Sequence, residues 1–143
     1  MKNFKYLIAF IAIVSILITG CSNPLKKEEQ YIKVQKRLGD EANYEDFQEI
    51  TNTDQVQQVK EIVGDINWEN AVVNMVRPPD YRFMFQYKNP EIEAKAVLYE
   101  LWINQNSDKV ELVIDAEMKY SQLDNKQSAE LFELLTGEKI AEP

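Results

Sequence analysis

The segment Tyr81-Arg82-Phe83-Met84-Phe85-Gln86-Tyr87 carries an aromatic ring at every second position. A period of two puts Tyr81, Phe83, Phe85 and Tyr87 on one face of a β-strand, because successive strand side chains point to opposite sides. Such a stripe needs either a covering layer or a stacking ligand. A core face beneath a helix is the favoured reading, and a stacking platform for sugars or peptides is the alternative. Asn89-Pro90 breaks the strand. Arg77-Pro78-Pro79-Asp80 precedes it as a turn, since two prolines fix φ and cannot donate to a central ladder.

Working outward, Ala71 to Val76 predicts another strand, and Glu93 to Asn104 with Lys109 to Tyr120 predicts an antiparallel hairpin around Gln105-Asn106-Ser107-Asp108. In the second arm, Val110, Leu112, Ile114, Ala116 and Met118 alternate with Glu111, Asp115, Glu117 and Lys119, which predicts one core side and one wet side. Upstream, Tyr31 to Leu38 and Phe47 to Thr51 have strand character around the turn-forming Gly39-Asp40. Between these blocks, Val56, Val59, Val63 and Ile66 recur at helical spacing from Asn52 to Ile66, with Ile62 widening the stripe, Thr53 as cap and Asp54 in the first turn. A last helix runs to about Thr136 from a cap at Asp124 or Asn125, with Ala129, Phe132 and Leu135 on one face and Gly137 at its stop. The order β-β-α-β-β-β-β-α predicts an α+β fold: a single domain with a meandering, mainly antiparallel sheet and two amphipathic helices packed on one face.

Composition bounds the chemistry. The chain has 143 residues, 45% of them hydrophobic and 28% charged, which suits one globular domain. It contains no histidine and one cysteine, so Ser-His-Asp and Cys-His catalysis, imidazole metal ligation, an internal disulfide and a thiolate zinc cluster are all excluded.

That cysteine is Cys21. Lys2 and Lys5 precede an apolar run from Tyr6 to Ile18, then Thr19-Gly20-Cys21. A positive segment followed by an apolar one of this length is an export signal, because a 13-residue helix spans roughly 20 Å against a hydrocarbon core of ~30 Å. Leu17-Ile18-Thr19-Gly20-Cys21 resembles the lipobox of bacterial lipoproteins. The resemblance implies cleavage between Gly20 and Cys21 and a diacylglyceryl group on the Cys21 thiol. Acyl chains at about 0.8 kcal/mol per buried methylene would then hold the protein to a membrane without spanning it. The expected organisation is a cleaved signal over residues 1–20, a lipid-anchored tether over 21–30 and an α+β domain over 31–140. Removing residues 1–20 leaves 14 basic against 24 acidic side chains, a net charge of −10. Such a surface is repelled by nucleic acid and by anionic headgroups, which excludes nucleic acid as a partner and leaves the lipid to do the anchoring.

Trp68, Arg77-Pro78-Pro79-Asp80-Tyr81 with Phe83 and Phe85, and Tyr99-Glu100-Leu101-Trp102, placed after a lipobox, resemble the small YhfM-type lipoproteins of Gram-positive bacilli. The likeness covers most of the chain from the first helix on. It implies a membrane-anchored protein on the extracytoplasmic face, and it supplies no catalytic residue.

Glu111, Asp115 and Glu117 raise the idea of a carboxylate-based wall hydrolase, since paired carboxylates can cleave glycosidic bonds without histidine. Their expected strand face also carries Lys119 and is solvated, so nothing there would make one of them an acid. Asp65-Ile66-Asn67-Trp68-Glu69-Asn70 begins like a calcium loop but has Asn70 where glycine is needed and Val76 where the closing glutamate belongs. The four glycines are too scattered for a phosphate loop. Neither a metal nor a cofactor is expected. Arg77, Asp80 and Trp102 form the candidate interaction surface, with a simple Arg77–Asp80 pair across the turn as the plainer reading. The expected function is therefore a non-enzymatic interaction or accessory module at the cell envelope, facing a membrane protein, a wall component or a peptide. The alternatives are the wall hydrolase and a one-domain small-ligand or peptide receptor.

Overall fold

The computed structural model describes residues 28–141, so the expected signal over 1–20, the cleavage pair Gly20 and Cys21, and most of the tether lie outside the described residues. The elements in chain order are β1 (Gln30–Leu38), β2 (Asn43–Ile50), α1 (Thr53–Asp65), β3 (Glu69–Asn70), β4 (Tyr81–Tyr87), β5 (Leu98–Ile103), β6 (Val110–Ile114), β7 (Lys119–Gln122) and α2 (Asn125–Thr136). All seven strands join one antiparallel sheet in the order β2-β1-β4-β5-β6-β7-β3. It is a single small α+β domain.

Register explains the core. Val34 lies opposite Phe83 and Phe83 opposite Tyr99, while Tyr81, Leu101, Leu112 and Ser121 form a second row across β4 to β7. Both rows point to the same face, and Val56, Val59 and Val63 of α1 with Leu131, Phe132 and Leu135 of α2 join them in one buried cluster. Each such side chain contributes about 1.5 to 3 kcal/mol on burial, so helix docking outweighs the caps at about 1 kcal/mol each. Asn52, and not the expected Thr53, caps α1 by accepting from the Gln55 amide at 2.9 Å. Asp124 caps α2, and Gly137 ends it in the left-handed conformation at φ 73°. Ala129, expected on the buried face of α2, is exposed, and Ser128 takes its place in the interior.

Four strand expectations are corrected. Ala71 to Val76 is no strand: only Glu69–Asn70 pairs, with β7, and beyond the bond from the Ala71 amide to the Met118 carbonyl the chain leaves the ladder. It becomes a strap over the second face of the sheet, with half-buried Val73 and Met75 beside Trp102 and Val113, and with Val72 and Val76 exposed. The valine alternation reports two environments rather than a ladder. Lys109 to Tyr120 is two strands, because Asp115–Glu117 makes a 3-10 turn and Met118 takes φ 52°. The alternation is thus lost after Ile114, and Val113 is buried beneath the strap side while Met118 is exposed. Glu93 to Val97 stays outside the ladder, which begins at Leu98, and β2 starts earlier than expected, at Asn43, as a charged edge strand.

Candidate functional site

Arg77 and Asp80 do pair across their turn, and the pair belongs to a larger clasp. One carboxylate oxygen of Asp80 accepts from Arg77 and, at 3.0 Å, from Arg37 on β1; the other accepts from the Ile103 amide at 2.8 Å. Arg77 donates onward to the Ile103 carbonyl at 2.7 Å, and the Trp102 indole donates to the Arg77 carbonyl at 2.8 Å. Burial alone would raise the Asp80 pKa, but the bonds from Arg77, Ile103 and Arg37 outweigh it and hold the carboxyl below its ordinary value. The clasp ties the strap to β1 and β5. Of the three residues expected at an interaction surface, Arg77 is exposed, Asp80 is mostly enclosed and Trp102 is 5% exposed.

The carboxylates do not converge as a strand face would bring them. Glu111 lies on β6 and accepts from Gln122, whereas Asp115 and Glu117 sit on the exposed 3-10 turn, and Glu117 pairs with Lys119 at 2.7 Å. Among the described residues no three acidic side chains group as a cation site.

What the linear sequence does not reveal is a cleft of about 390 Å³ at the end of the domain where β1 begins. Lys60, Val63 and Gly64 from the last turns of α1 form one wall of it, and the outer part of the aromatic stripe forms another. Tyr81 and Phe83 are buried, but Phe85 and Tyr87 are only half-buried. Phe83 stacks on Tyr99 at 4.8 Å and 10°, and Phe85 meets Tyr99 edge-on at 5.9 Å. Trp68 follows at 6.4 Å from Tyr99, its indole donating to the Val63 carbonyl at 3.2 Å. Burial, aided by Glu117, raises the Tyr99 phenol above its ordinary value. The rim carries Lys60, whose ammonium lies 5.8 Å from the centre of the Phe85 ring, with Lys95, Lys119 and Glu117. A larger groove of about 830 Å³ between α1 and α2 has mostly Gln and carboxylate walls and no comparable aromatic surface. A ligand site is usually apolar and aromatic with a few placed charges, and the cleft is the better match.

These features define a class: a small α+β domain with one helical layer, a strapped second face and an aromatic cleft at the chain entry. The chain belongs to the family described as YhfM protein, whose model matches residues 26–141. No curated protein matches the chain. No solved structure matches it either.

Proposed function

We propose that this protein is a lipoprotein held by an acylated Cys21 on the extracytoplasmic face of the cell membrane, acting there as a non-enzymatic interaction module whose binding surface is the aromatic cleft. The cleft is the observation that carries the binding role: it presents Trp68, Phe85, Tyr87 and Tyr99 together, in a size range common for ligand sites. The anchor is supported by Lys2 and Lys5, the short apolar run and the Leu17-Ile18-Thr19-Gly20-Cys21 lipobox. The fold is compatible with both, since β1 starts at Gln30, nine residues after Cys21, and no described helix is long and apolar enough to cross a membrane.

A single in-cell experiment tests both halves. The full chain, carrying a photocrosslinking residue at position 94, where the exposed Ala94 lines the cleft, and labelled with a palmitate analogue, is expected to carry the lipid label and to yield a reproducible adduct from the cleft. Cys21→Ser is expected to lose label and membrane retention. Full retention of both in Cys21→Ser would overturn the anchor, and absence of any adduct would overturn the cleft as binding surface.

A further inference from the structure

Two opposite electrostatic surfaces exist on this acidic domain. Five carboxylates and one lysine line the groove between α1 and α2, whereas three lysines and one glutamate line the aromatic cleft. In a mature chain of net charge −10, a cation-rimmed concavity is the exception to the general field and favours a negatively charged group. Lys119 is neutralised by Glu117 at 2.7 Å, while Lys95 is exposed on the Glu93 to Val97 segment and makes no ion pair among the described residues. Beneath this rim the wall is aromatic. The C–H face of a sugar ring is apolar with a slight positive edge charge, and it stacks against the negative face of an aromatic ring. Rings below and lysines above therefore fit a molecule with a saccharide body and an anionic substituent.

Location narrows the source. Gln30 of β1 lines the cleft and pairs with Tyr87, and Glu29 is fixed to Lys88 by an ion pair at 2.9 Å and by the Lys88 amide. The described chain thus begins beside the mouth. Glu29 is the eighth residue after Cys21, at most about 30 Å of extended chain, so a lipid-anchored domain keeps its cleft near the membrane surface. We infer that the cleft binds an anionic glycan, bearing phosphate or carboxylate, displayed at the outer face of the membrane. This rests on the cleft being the binding surface proposed above.

The test uses the lipidated mature protein in detergent micelles, titrated with N-acetylglucosamine 1-phosphate and with neutral N-acetylglucosamine while tryptophan fluorescence is followed. Trp68 lies in the cleft and Trp102 is buried on the opposite face of the sheet. The phosphorylated sugar is expected to give a saturable change that disappears in Trp68→Phe. Lys95→Glu is expected to weaken it by about fivefold, because it removes one exposed charge contact and puts a like charge in its place, without moving the neutral sugar. No saturable change, a change that survives Trp68→Phe, or equal binding of both sugars with Lys95→Glu silent would each overturn the anionic glycan. If a protein adduct forms at position 94 in cells while the sugars fail, the ligand class falls and the binding module stands. If both fail, both fall.

Discussion

The Arg37 guanidinium lies 3.0 Å from the Asp80 carboxylate, joining side chains 43 positions apart of which 15% and 17% remain exposed. Arg37 holds β1 and Asp80 ends the strap, so one carboxylate fixes the crossing of the sheet's second face. This crossing is what brings β4 beside β1, and the order of those strands brings Tyr87 to Gln30 at the cleft.

Asp80→Asn is expected to destabilise the domain by about 2 to 4 kcal/mol at neutral pH, because Arg37 and Arg77 lose a largely enclosed anionic partner. The folded pKa of Asp80 lies below the ordinary value of 3.8, so its contribution is present above that pH and is lost as pH falls through the folded value. Denaturant melts of both proteins should show a constant gap above about pH 5 that closes below pH 3.8. A gap that holds unchanged to pH 2 would contradict the charge pairing.

Ser128 is fully buried and accepts from the Val110 amide at 2.9 Å, joining α2 to the start of β6. Ser128→Val removes the acceptor and leaves a buried amide unpaired, which costs about 1 to 3 kcal/mol. Urea unfolding would measure it. A loss within error would mean the amide finds another partner.

How much of this was legible follows physical range. The aromatic stripe of β4, the helices, the Asp124 cap and the Gly137 stop depend on neighbours within a few positions, and local spacing reveals them. The Arg77–Asp80 pair was visible at three residues' separation, but Arg37 was not, because its approach depends on β1 pairing with β4. The strap was misread since an apolar run such as Ala71-Val72-Val73 with Met75-Val76 looks the same whether or not a ladder exists. Asp115 is the one turn-forming residue from Asp115 to Met118, and without a glycine or proline beside it the strand alternation hides the turn. The cleft was hidden for the same reason as Arg37: Lys60, Trp68, Tyr87, Lys95 and Lys119 come from separate segments. Trp68 and the stripe were the signals available, and they gave the chemistry without the opening.

Two glycines allow a backbone effect to be separated from packing. Neither Gly64 nor Gly137 has an atom within 4 Å of where a Cβ would stand, but only Gly137 has positive φ. Gly137→Ala is expected to cost about 1 kcal/mol through the left-handed cap, whereas Gly64→Ala near the end of α1 should stabilise by about 0.5 to 1 kcal/mol. Thermal unfolding of the pair gives opposite shifts; equal shifts would refute the conformational explanation.

The aromatic stripe supplies the last expectation, because its rings pass from core to surface along one strand. Phe83 is fully buried against Tyr99, while Tyr87 is half-buried at the open end. Phe83→Ala should cost about 3 to 5 kcal/mol, the range for deleting a packed ring and leaving a cavity. Tyr87→Ala should cost less than about 1 kcal/mol, since its site is already open to water. Denaturant unfolding of the two variants would show whether this gradient exists. If Tyr87→Ala matches Phe83→Ala, the outer ring is holding the core together and has no free face to offer a ligand. If the gradient holds, the sheet keeps its inner rings for stability and leaves the outer ones half-open beside the lysine rim.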